Sequence, residues 1–342
     1  MRQPILYTCA SFLCLLFLAG CEMQNEFTDS PRQNFEVLWK TLDEHYCFFE
    51  YKEVDWEAVY REYSQYVDES LNSYELYNIL SDMLNELKDG HINLITPERV
   101  SRYDNWFLDY SLNFNEVLIA DHYFQGNYNW GSTQMQSTFL REGQIGYIYY
   151  PTFTEGVLES ELDQLLLSFA DCEGLIIDVR NNAGGSLTHS DRLASRFVKE
   201  KTLTAYIQHK TGKGHTDFSN PYPIYLHPSE GVLWLRPVMV LTNRRAYSAT
   251  NNFVSKLKVL PQVTTIGDWT GGGSGFPITS ELPNGWSVRF PTSPILDINK
   301  QHTEFGIAPD IEVALDPAWE EEGRDALIEK AIEMILYPPP GF

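Results

Sequence analysis

The sequence predicts an α/β fold with a largely parallel sheet, and three observations predict it. From residue 145 to 270, strand-like apolar runs alternate with helical patterns. Two of those runs, Leu175–Val179 and Val238–Leu241, are almost continuously apolar, as strands covered on both faces are. The loops that follow them concentrate Gly, Asn and Ser, and ligands gather at the carboxyl ends of parallel strands. The chain has 342 residues, 43% hydrophobic and 14% aromatic, enough to bury a large core. Its formal net charge of -22 argues against a nucleic-acid partner, which needs a basic footprint.

Residues 1–20 read as a signal peptide: Arg2 is the positive start, Phe12–Leu18 a short apolar run, and Leu18-Ala19-Gly20-Cys21 its end. The small-small-Cys order resembles a bacterial lipoprotein signal, which implies cleavage before Cys21 and lipid attachment to it. The expected localisation is the bacterial cell envelope, membrane-anchored through Cys21. Of five cysteines, only Cys47 and Cys172 then remain, too few for a disulfide framework.

Residues 21–30 are a polar tether. Residues 31–96 read as a helical bundle. Phe35, Leu38 and Leu42 recur at helical spacing. Asp55 caps a second helix, and Ser73 is expected to cap a third with Leu76, Leu80, Met83, Leu84 and Leu87 on its buried face. Residues 97–140 form a connecting segment with short strands such as Ser111–Phe114. The core, 141–342, begins with a strand at Ile145–Tyr150, then a helix over 158–170, the strand Leu175–Val179, a helix over 190–199, the strand Val238–Leu241 and a helix after Ser248.

Several loops carry chemistry-bearing residues. Asn181–Gly185 follows a buried strand, and its paired glycines allow positive φ and bring backbone N–H groups close to a ligand. Without a Gly-Lys-Ser/Thr it is not a phosphate loop. His91 follows Asp89-Gly90, and a neutral imidazole is the natural acceptor of a serine proton at pH 7. Ser248 opens a helix. Taken singly, these read as a tight turn, a residue after a glycine C-cap and a helix N-cap.

Their combination reads differently. Gly146-Tyr147-Ile148, Leu175–Gly185, the Ser248 segment, Ile266–Thr270 and Gly306-Ile307-Ala308-Pro309-Asp310-Ile311-Glu312-Val313 occur in that order. Over residues 32 to 315 the chain resembles the serine peptidase family of C-terminal-processing (tail-specific) proteases and the tricorn core. The resemblance implies a Clp protease/crotonase-like core, a serine peptidase activity, and Ser248 as nucleophile. Asn251 stands where the family has an acid, and Gly273 where the Ser-Lys branch has its lysine. A glycine takes no proton, so the resemblance points to the lysine-less, tricorn-like branch, with His91 as base and Glu304 as the carboxylate that orients it. The N–H groups of Ala249 and of Gly184 or Gly185 are the expected oxyanion donors.

Residues 97–140 offer about half the length of a PDZ domain, so none is expected. No His-x-x-x-His pair occurs, and neither metal nor cofactor is expected. The expected partners are a peptide or protein substrate and, through the lipid, a membrane. The alternative function is a non-catalytic binding lipoprotein that retains the fold. A glycan-binding surface would rest on the aromatics of Tyr123–Trp130.

Overall fold

The structure, a computed structural model, describes residues 29–339. The expected signal peptide, residues 1–20, and Cys21 lie outside the described residues. Among the described residues no helix is long and apolar enough to cross a membrane.

The N-terminal part is helical for local reasons. Helix α1 (Pro31–His45) starts with proline at its first turn and Ser30 Oγ accepting from Gln33 N. Phe35, Leu38 and Leu42 face inward, as their spacing predicts. Helix α2 (Phe49–Lys52) is a single turn. Asp55 caps α3 (Trp56–Tyr63), accepting from Ala58 N at 2.8 Å. Helix α4 (Ser73–Asn85) is capped by Asn72, not by Ser73. A reciprocal capping box needs an acid three residues on, and Glu75 supplies it to Asn72 whereas Leu76 cannot supply it to Ser73.

These helices do not close a core alone. Their apolar cluster is completed by Leu282, Trp286, Val288 and Phe290 from the hairpin of β9 (Gly275–Glu281) and β10 (Ser287–Leu296). Strand β1 (Asn93–Ile95), just after His91, pairs antiparallel with β10. Strand β10 also meets β5 (Thr202–Ile207), which pairs with β6 (Tyr222–Leu226).

The second sheet runs β11-β8-β7-β4-β3-β2. Its members are β2 (Gln136–Leu140), β3 (Ile145–Tyr149), β4 (Gly174–Asp178), β7 (Val238–Thr242), β8 (Val263–Gly267) and β11 (Ile311–Glu312). All neighbours are parallel except the edge pair β2–β3. The pleat sends alternate residues to opposite faces. Leu175 and Ile177 pack with α7 (Glu159–Ser168), α8 (Leu187–Ala194) and α9 (Ala249–Leu257). Ile176 packs on the other face with α11 (Ala326–Leu336). The short α10 (Pro317–Glu321) precedes α11.

The connecting segment differs from expectation. Ser111–Phe114 is not a strand; the Asn113 carbonyl accepts from Arg180, and the chain runs from α5 (Asn105–Leu108) into α6 (Glu116–Leu118). β2 falls inside this segment and is the edge of the core sheet. Tyr123, Phe124 and Tyr128 are buried against that sheet and belong to the core, which leaves only Trp130 of this aromatic run exposed. Cys47 and Cys172 are both free and belong to different apolar clusters.

Candidate active site

Ser248 sits between β7 and α9 with φ 58° and ψ -118°, a region rarely adopted by a residue with a Cβ. The surroundings hold it there. Ser248 N donates to the Gly272 carbonyl at 2.9 Å, and Tyr247 N donates to the Asn182 carbonyl at 3.1 Å. The helix-cap reading fails on geometry, because the Ser248 side chain makes no hydrogen bond to the helix it precedes. Its Oγ lies 2.8 Å from His91 Nε2 instead. Ser248 is half-buried, open to a cleft of about 350 Å³.

His91 reaches this position from the N-terminal part, where Asp89 Oδ1 accepts from His91 N at 2.8 Å. The imidazole is 4% exposed and packs on the Tyr247 ring, which stacks on Trp106 at 4.0 Å. Burial pushes His91 down to about 4; Asp89 pulls the other way, while Arg289 and Lys52 add to the depression. The ring is therefore neutral at pH 7. For Nε2 to accept from the serine hydroxyl, the proton sits on Nδ1, a tautomer assigned from this hydrogen bond. That Nδ1 is buried and has no partner among the described residues.

Glu304 is close by but does not orient His91. Its carboxylate pairs with Lys52 Nζ at 2.9 Å and accepts from Ser274 N at 2.8 Å. Lys52 also pairs with Asp89 at 3.2 Å, and Tyr46 OH donates to Asp89 at 2.8 Å. One buried ammonium thus serves two buried carboxylates. Burial and the charge of Asp89 push Glu304 up to about 7 against the pull of Lys52. Burial would raise Asp89 as well, but Lys52 and the hydrogen bonds it accepts hold it low. Glu304 shares Lys52 with Asp89, and Asp89 holds the backbone N–H of His91, so no hydrogen bond runs from Glu304 to the imidazole.

The loop after β4 explains the Asp178–Gly185 run residue by residue. Asp178 and Arg180 form a buried ion pair at 2.6 Å, and Arg180 bonds Asp325 at 2.9 Å. Asn181 and Asn243 exchange amide hydrogen bonds, clamping the ends of β4 and β7 together. Asn182 donates to the Tyr150 carbonyl and accepts from Gly184 N and Thr250 Oγ1. Gly184 N is therefore committed to Asn182 and is not an oxyanion donor. Its own role is close approach: a Cβ there would stand 2.9 Å from Ser248 Cβ, and its φ is 98°. The N–H groups of Gly185 and Ala249 make no hydrogen bond among the described residues, and both residues line the cleft that holds Ser248.

Gly273 has φ 74°, and a Cβ there would sit 2.4 Å from the Tyr247 ring, so the backbone has no room for a lysine without displacing the ring beside His91. Asn251 accepts from Thr270 Oγ1 at 2.6 Å and donates to Thr303, linking α9 to two loops. Among the described residues no group of three or more His, Cys, Asp or Glu side chains could hold a metal ion.

The structure thus brings together Ser248, His91, Ala249 and Gly185. Sequence reasoning missed Lys52, which ends a one-turn helix, and the side-chain roles of Asn182 and Asn243. Lys52 carries no local pattern; the two asparagines stood in quoted motifs whose geometry only the fold supplies.

Residues 144–313 match the model of peptidase family S41, and residues 27–85 that of the tricorn protease C1 domain. A crystal structure of a candidate peptidase from Parabacteroides merdae ATCC 43184 is 53% identical, with a TM-score of 0.85 over 92% of this chain and 99% of that one. A candidate tricorn-like protease C-terminal subunit from Sulfurisphaera tokodaii is 29% identical over 269 residues, 76% of this chain. This chain spans only 28% of that relative's length. The photosystem II D1 C-terminal processing protease, 15% identical with a TM-score of 0.55 over 84% of this chain and 94% of that one, shares the fold. The serine geometry, the Clp protease/crotonase-like sheet and a relative 53% identical over nearly the whole chain lead to one conclusion: the chain belongs to peptidase family S41, a family of serine peptidases.

Proposed function

We propose that this chain is a serine endopeptidase that hydrolyses peptide bonds through Ser248, with His91 as general base, tethered to the cell-envelope membrane by a lipid on Cys21. The observation that carries the reading is the 2.8 Å contact between Ser248 Oγ and His91 Nε2, made by a serine whose side chain does nothing else. Ser248 Oγ attacks the scissile carbonyl as His91 Nε2 takes its proton. The oxyanion that forms accepts from the N–H groups of Gly185 and Ala249, the latter at the positive end of α9. His91 then gives the proton to the leaving amine, and water hydrolyses the acyl-enzyme by the same route. The unpartnered Nδ1 of His91 and the absence of a lysine at Gly273 favour the alternative, a binding lipoprotein that keeps the fold. Degradation of β-casein separates the two: the native chain should cleave it and Ser248→Ala should not. Equal traces for the two would retire the peptidase. Intact-mass analysis of detergent-extracted protein should give a diacylglyceryl-modified chain starting at Cys21; an unmodified chain starting elsewhere would remove the anchor.

A further inference from the structure

Arg289 lies on β10 directly across from Asn93 of β1, two residues beyond His91. It is half-buried and lines the same cleft as Ser248. Among the described residues its one side-chain hydrogen bond is a long 3.4 Å contact to Asn93 Oδ1 and it forms no ion pair, the charge of Asp89 acting on it only from a distance. The fully buried guanidinium groups behave otherwise: Arg180 pairs with Asp178 and Asp325, and Arg196 with Glu159 and Asp163. Taking a cation partly out of water without a partner is costly. Burial indeed pulls the Arg289 guanidinium below its ordinary value.

The same cleft holds two more unsatisfied groups. Ser274 and Asn252 both line it, and Ser274 Oγ and Asn252 Oδ1 are buried without a hydrogen-bond partner among the described residues. Buried polar atoms in folded proteins nearly always find partners. The Arg289 guanidinium and the Ser274 hydroxyl are donors that line one cleft beside a nucleophile and lack good partners, which describes a receptor for an anionic group, while the Asn252 oxygen is an acceptor suited to a peptide N–H.

We infer that Arg289, with Ser274, is the substrate-selecting end of this cleft and receives a carboxylate of the peptide that is cut at Ser248. The inference rests on the peptidase reading for what the cleft is for, but the binding it describes does not need turnover. A guanidinium fork matches a planar carboxylate. Two peptide groups carry one, an Asp or Glu side chain and the terminal α-carboxylate.

The test measures binding with hydrolysis switched off. Fluorescent hexapeptides carrying one Glu or one Gln at each position in turn, all with amidated C-termini, are titrated by anisotropy into the full chain bearing Ser248→Ala. The all-neutral peptide is titrated with a free and with an amidated C-terminus. At one position Glu should bind about tenfold or more tighter than Gln, or the free acid should exceed the amide by as much, which identifies the source. The preference should shrink with added salt, vanish in Arg289→Gln and persist in part in Arg289→Lys, which guards against a variant that is merely misfolded. Equal Kd values for every Glu/Gln pair and for acid and amide would overturn the inference, as would a preference that Arg289→Gln leaves intact. Fluorophosphonate labelling of the Ser248 chain is read separately. Failure to label would count against the peptidase, while the binding result would stand on its own.

Discussion

Ser248 and Glu304 show how differently two neighbouring residues were legible. Ser248 was marked by its place after an apolar strand and by the resemblance its segment carries. Its positive φ then accounts for why no ordinary N-cap geometry forms. Glu304 was found by its distance from Gly306-Ile307, yet its partner is Lys52, a residue no motif flags. The two readings of Glu304 give different kinetics. A carboxylate directly on the imidazole, replaced by its amide, costs about 10⁴-fold in kcat in the serine protease case. A carboxylate that only shares Lys52 with Asp89, which holds the His91 backbone, should cost far less, because Glu304→Gln leaves the Lys52–Asp89 pair in place. We expect kcat/KM on a peptide substrate to fall by about tenfold or less in Glu304→Gln. A loss near that of His91→Ala would restore Glu304 to the imidazole.

Among the elements, β4, α11 and the glycine loop form one unit. Asp325 accepts from Leu327 N and Ile328 N at 3.0 Å, capping α11, while its other oxygen receives Arg180. Arg180 in turn begins the loop that presents Gly184 and Gly185 to Ser248. The apolar run of β4 and the amphipathic period of α11 were readable, because each is local. The link between them was not, because a buried Arg between two Asp residues 147 positions apart leaves no periodic trace. Breaking a buried ion pair by removing one partner costs about 3–5 kcal/mol. Asp325→Ala should therefore lower unfolding stability by roughly that amount in urea denaturation. A change under about 1 kcal/mol would show that Asp178 alone satisfies Arg180.

For the whole molecule, the order of elements and the α/β class followed from alternation and from near-continuous apolar strands. How the helical N-terminal part sits on the core did not, because its apolar cluster is completed by a hairpin some 200 residues later in the chain. That docking, which carries His91 to Ser248, also buries titratable groups whose effects on stability oppose each other. His91 has a folded value of about 4 against an ordinary 6.5. Its contribution is fully present above 6.5 and is lost as pH falls toward 4, by about 3 kcal/mol. Glu304 is raised instead, so its contribution is present below its ordinary 4.5 and is lost as pH rises toward about 7. Between these values the two slopes offset, and the native chain should show a shallow dependence of Tm on pH. In Glu304→Gln the opposing slope is gone while those of His91 and His302, both lowered by burial, remain, so Tm should climb from pH 4 to 6.5; an unchanged profile would remove Glu304 from that balance. The central claim is that this docking makes His91 the base for Ser248. The most direct measurement is the second-order rate of fluorophosphonate labelling, compared between the native chain and His91→Ala and followed from pH 3.5 to 8. The account predicts a native rate that is level above about pH 5 and falls through a limb near 4, and a loss of at least about 10²-fold in His91→Ala. Native and His91→Ala chains that label at the same rate would contradict it.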